Sequence, residues 1–161
     1  MKLDNGEALT SPLCADRVEP RSVAAAPALA LDWRQIRKEQ HMILSKNADV
    51  RGVIVKSIEG KPMYGGELLV KPLIKGDEMT FLEIHYTPGV GAPLHVHSHE
   101  SLAYVVKGKV KMTVGTEEYI LGPGDVCRHP KGVPHSVEGI EESIVVEIKS
   151  PAPDITSFLG T

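Results

Sequence analysis

From Val50 to Ser150 the chain is a succession of short β-rich runs, each closed by turn residues. They read VRGVIVKSI (50–58), GELLVKPLI (66–74), EMTFLEIHY (78–86), SLAYVVKG (101–108), KVKMTVG (109–115), EEYILGPGD (117–125), VCRHP (126–130), PHSVEG (134–139) and ESIVVEIKS (142–150). In TFLEIHY the residues alternate, with Phe81, Glu83 and His85 on one face and Leu82, Ile84 and Tyr86 on the other. Runs of this length, about ten in all with breaks every 8 to 12 residues, predict strands. No helical period follows Leu44. A chain built this way must close into a sandwich or a barrel, because open sheet edges invite association.

The predicted class is therefore all-β, in two parts. Residues 46–161 form the barrel domain and residues 1–45 an N-terminal extension. The first 31 residues hold Pro12, Pro20 and Pro27 and show no apolar periodicity, which predicts irregular chain. A short helix is predicted over 33–44, capped by Asp32. Apolar residues make up 42% of the 161, enough for the core of one domain.

Charge and composition narrow the partners. The formal net charge is −3 and no Lys/Arg run occurs, so no nucleic-acid partner is expected. No apolar run reaches the roughly 20 residues of a membrane helix, so no membrane partner is expected either. The first residues, MKLDNGEALTSPLCADRVEP, lack the basic start and apolar stretch of a signal peptide, so a cytoplasmic location is expected. Cys14 and Cys127 fit no zinc spacing and are read as free thiols.

The chemistry concentrates in PLHVHSHES (93–101). On a strand, His95 and His97 project to the same face, about 7 Å apart along the chain. A third histidine, His135, follows the turn PKGVP on a distant strand. Neutral imidazole is the commonest protein ligand for transition metals. His95, His97 and His135 are accordingly the predicted ligands of one divalent metal: zinc, nickel, iron or manganese. His99 shares their parity, but a turn of the strand is expected there and it is not assigned as a ligand. Glu100 has the opposite parity. His129 is read as an exposed loop residue. No residue is assigned to an organic cofactor.

The glycines and histidines fall into two patterns. Residues 89–108 read G-x5-H-x-H-x3-S-x6-G, and residues 124–135 read G-x5-P-x-G-x2-H. Their order and spacing resemble the two motifs of the cupin superfamily, over roughly residues 65–155. The resemblance implies a double-stranded β-helix, a jelly-roll cupin barrel with a mononuclear metal site in its mouth. The superfamily pattern places Glu, Gln or His where Ser101 stands. A serine is too short to reach the ion, so Ser101 is expected to touch it through water at most. That would leave open metal positions, the mark of a catalytic site.

YVVKGKV, LGPGDV, GVPHSVE and SIVVEIKSPAPDITSFL further resemble the small cupins that linearise unsaturated uronates in pectin degradation. In that branch an acid, an aromatic and an arginine lie near the substrate. The matching positions are Glu147, Lys149 and Pro153, of which only Glu147 keeps its chemistry.

These readings predict a metal-dependent enzyme of lyase or isomerase type, acting on a small polar molecule such as a sugar derivative. Glu147, Tyr104 and His85 are the candidates for moving protons. Two alternatives stand beside it: a three-histidine iron dioxygenase, and a non-catalytic module binding a small molecule or metal. A homodimer paired through the strands near 50–75 is also expected. The missing periodicity of the first 31 residues predicts that a chain starting at Asp32 folds and retains its metal. Insolubility of that shortened chain, or loss of a dimer that the full chain forms, would assign the extension a structural role.

Overall fold

A computed structural model of the chain describes residues 43–154. The predicted helix over 33–44 lies outside the described residues except for Ile43 and Leu44, which are not helical. After a 3-10 turn at Asn47–Asp49 come β1 (Val53–Val55), β2 (Ser57–Ile58), β3 (Lys61–Pro62), β4 (Leu68–Lys75), β5 (Thr80–Tyr86) and β6 (Glu100–Lys107). They are followed by β7 (Val110–Val114), β8 (Glu117–Leu121), β9 (Val126–His129), β10 (His135–Gly139) and β11 (Ser143–Ser150). All the pairings are antiparallel. No helix among the described residues is long and apolar enough to cross a membrane.

One sheet has the order β1-β4-β5-β11-β6-β9, a second β10-β7-β8, and β2–β3 is a separate hairpin. The last strand thus inserts between β5 and β6, the crossover that turns a meander into a jelly roll. Inner residues of both sheets meet in one core: Leu68, Val70, Leu82, Ile84, Ala103, Val105 and Val145 from the large sheet, Val110, Met112 and Val137 from the small one. The predicted strands appear with two differences. The run 50–58 divides into β1 and β2, and β3 was not foreseen because LysPro carries no strand signal. The hairpin it completes turns on Glu59 and Gly60, both at positive φ (47° and 73°).

The histidine segment departs further from a regular strand. Between Ala92 and His99 the only pairing is a single bridge, His95 to His135. Alternation survives without the ladder: His95, His97 and His99 are buried, while Leu94, Val96 and Ser98 are exposed. The expected turn does not remove His99 from that series.

At the β6–β7 turn Gly108 adopts φ +77°, and a Cβ there would lie 2.3 Å from Glu142 O and 2.7 Å from Ser143 Cα. Ser143 Oγ accepts the next backbone N–H, that of Lys109, at 2.9 Å. Both the φ value and the contact with β11 exclude a side chain. Gly108→Ala is expected to cost about 2 kcal/mol or more, read from the midpoint of urea unfolding. An unchanged midpoint would mean that the turn can move away from β11.

Candidate metal centre

Three elements bring the histidines together. Ala92 N–H donates to Val137 O at 2.9 Å, which starts the segment along β10. His95 and His135 then exchange backbone hydrogen bonds at 3.0 and 2.9 Å. Gly132 N–H donates to His97 O at 3.0 Å, so the turn before His135 also holds the second histidine. One ring nitrogen from each of His95, His97 and His135 lies within 4.8 Å of the others.

The other ring nitrogen of each imidazole faces an acceptor. His95 Nδ1 donates to Pro93 O at 2.7 Å, His135 Nδ1 to Val133 O at 2.9 Å, and His97 Nδ1 to the Glu59 carboxylate at 3.0 Å. Carbonyl and carboxylate oxygens have no proton to give, so each Nδ1 carries the hydrogen and each Nε2 a lone pair. His95 Nε2 and His97 Nε2 nevertheless approach to 3.0 Å. Burial also keeps the rings neutral. It lowers His95 to about 4, and His97, with the Lys149 ammonium adding to it, to about 2. It pushes His135 down as well.

Two further imidazoles flank these three. His99 stacks on His97 at a centroid distance of 4.3 Å, and His129 on His135 at 4.4 Å. His129 was expected in an exposed loop. It is instead the last residue of β9, 1% exposed, because its register against Ser101 turns it inward.

On the large sheet an inward polar layer faces the cluster. Thr80, Lys149, Ser101 and His129 are cross-strand neighbours on β5, β11, β6 and β9. Lys149 is 1% exposed, and its Nζ donates to Ser101 Oγ at 3.0 Å and to Glu147 Oε2 at 2.6 Å. Burial pushes the Glu147 carboxyl up, but the Lys149 ammonium and the neighbouring histidines together hold the group at about 2. Ser101 therefore faces inward, as its place in the motif implies, and the ammonium from the next strand is its partner.

Of the three proton-moving candidates, the fold brings only Glu147 to the cavity, which it lines with His95, His97, His135, Tyr86 and Lys149. Tyr104 is corrected to the outer face of β6, 46% exposed between Val126 and Val146, because the interior at that level takes Ala103 and Val105. His85 is likewise corrected to the outer face of β5, where its Nε2 lies 2.7 Å from Glu83 Oε1. Its alternation was read correctly, but the face with Leu82, Ile84 and Tyr86 turns inward. Sequence reasoning missed Tyr86 and Glu59. Tyr86 could have been found from the parity of β5, whereas no local signal marks Glu59. The cavity itself has about 20 Å³ for the centre of a water-sized sphere, room for an ion or a water but not for a sugar.

Comparison with known proteins places this architecture. The cupin domain model matches residues 82–148, from within β5 to within β11. Oxalate decarboxylase OxdC of Bacillus subtilis is 30% identical over 84 residues, which cover 49% of this chain and 22% of that protein. The match thus spans about a fifth of the relative's length. An RmlC-like cupin from Shewanella frigidimarina superposes with a TM-score of 0.60 at 24% identity, covering 70% of this chain and 93% of the other. KdgF from a Halomonas species superposes with a TM-score of 0.53 at 25% identity, covering 54% of this chain and 81% of that one. The fold is that of a cupin barrel.

The Glu147–Lys149 pair carries a stability prediction. Lys149→Met would leave a buried carboxylate without its ammonium and is expected to cost about 3–5 kcal/mol. Lys149→Met combined with Glu147→Leu is expected to recover most of that loss. Chemical unfolding of the two variants checks this, and equal stabilities would dissolve the coupling.

Proposed function

We propose that His95, His97 and His135 hold one divalent transition-metal ion, and that the protein is a metal-dependent enzyme of lyase or isomerase type acting on a small polar molecule. One observation carries the metal reading. Two Nε2 lone pairs face each other at 3.0 Å, and their Nδ1 protons are committed elsewhere. Two acceptors cannot hydrogen-bond each other, and a cation between them removes the repulsion. The donor set fits zinc, iron, nickel or manganese, since three neutral imidazoles come with no thiolate. Bound there, the metal would supply a Lewis acid for a substrate oxygen.

The remaining chemistry belongs to the chain. Lys149 Nζ is the proton donor beside the histidines, and its contacts with Glu147 and Ser101 hold it in place. Tyr86, fully buried, is pushed well above its ordinary pKa by burial, with the Glu147 charge adding to this, and so keeps its phenolic proton. Leu82, Ile84 and Val137 line the same cavity and limit its water. An acid–base pair next to a polarised oxygen suits proton transfer or carbon–carbon cleavage. The likeness to an oxalate decarboxylase supports a lyase. Pro153, at the position of the uronate branch's arginine, speaks against a uronate substrate.

Metal analysis with oxygen uptake tests the reading. One equivalent of metal is expected in the purified protein, with no oxygen consumed in turnover. His135→Ala is expected to lower metal content sharply while far-UV circular dichroism stays unchanged. Full occupancy in that variant would overturn the centre. Stoichiometric iron with oxygen consumption would replace the lyase by a dioxygenase.

A further inference from the structure

We infer that Glu59 is a positioning residue for the metal centre, and that the β2–β3 hairpin keeps a strained turn in order to present its carboxylate to His97. The inference rests on the three-histidine reading above.

The strain is local and visible. Glu59 is the one non-glycine residue at positive φ among the described residues. Two-residue hairpin turns with both φ values positive select Asn-Gly, Asp-Gly or Gly-Gly, and a glutamate in the first position is disfavoured. Such outliers persist where the surroundings hold them and the strained residue has work to do.

The need for this carboxylate follows from the other two histidines. His95 and His135 each donate Nδ1 to the carbonyl two residues earlier, Pro93 O and Val133 O. The equivalent carbonyl for His97 would be His95 O. That oxygen accepts the His135 N–H at 2.9 Å, in the bridge that joins the segment to β10. His97 Nδ1 takes its acceptor from outside the segment instead, where Glu59 Oε1 supplies it at 3.0 Å. The His97 side chain is 2% exposed and that of Glu59 43%, so the glutamate reaches in from the surface.

A carboxylate does more than a carbonyl can. His97 lies in the field of the Lys149 ammonium, which disfavours a cation nearby. A negative charge on the far nitrogen makes the ring a stronger donor and offsets that field. The hairpin does not depend on Glu59 for its place. Lys61 Nζ donates to Leu94 O at 2.6 Å and Tyr64 bridges to Gly91, tying its far strand to the same segment.

The test sets stability against metal affinity. Zinc is titrated into metal-free full-length protein against a competing chelator, and thermal unfolding of the metal-free form is followed in parallel. Glu59→Asn, which suits the turn but cannot reach His97, is expected to weaken zinc binding by about 10–100-fold with no fall in melting temperature. Glu59→Gln keeps the acceptor without the charge and is expected to lie between it and wild type. Undiminished zinc affinity in Glu59→Asn overturns the inference, and so does a loss matched by a lower melting temperature, which would make the turn merely structural. His135→Ala is the control for the centre itself. If it binds zinc as wild type does, the three-histidine reading fails first, and this inference with it.

Discussion

Two backbone hydrogen bonds, exchanged between His95 and His135, hold the whole site together. The chain between Ala92 and His99 belongs to no strand, and this bridge is its one strand-type pairing with the small sheet. The bridge fixes two of the three imidazoles directly, and its neighbour from Gly132 fixes the third. It engages the carbonyl two residues before His97, and the acceptor for that ring comes from a hairpin elsewhere in the chain. A scaffold of backbone contacts thus sets the side-chain chemistry, and this gives the ring nitrogens their common direction.

Electrostatics explains how a buried lysine can lie near this cluster. Three neutral rings carry no charge of their own, and Glu147 balances Lys149 within the same layer. The ammonium extends from β11 toward the short side chain of Ser101 on β6. A longer residue at position 101 would meet it. Ser101 and Lys149 are therefore one structural feature seen on two strands, with the small hydroxyl making room for the large cation.

Much of this was legible in the sequence, for identifiable reasons. The strand periods and the turn glycines are local signals, and the fold follows from them. The histidine triad was readable because its spacing survives even where the ladder does not. What failed was the choice of face. β5 and β6 carry apolar residues on both sides, so alternation alone could not say whether His85 or Tyr86, and Tyr104 or Ala103, turned inward. Glu59 was beyond reach because its partner lies 38 residues away and its dipeptide, Glu-Gly, is a poor turn signal.

The same ambiguity bears on how the barrel finds its pairing. On β6 the inward set is Ser101, Ala103 and Val105, and the outward set is Leu102, Tyr104 and Val106. A slip by one residue would exchange the two sets and still bury apolar groups, more of them than before. Hydrophobicity therefore gives this strand no reason to choose its alignment. What it would lose is the hydroxyl opposite Lys149, leaving an ammonium facing hydrocarbon. Within the sheet, the buried ion pair and its serine act as a key cut for one alignment of β6 against β11, a check on assembly rather than a source of cohesion.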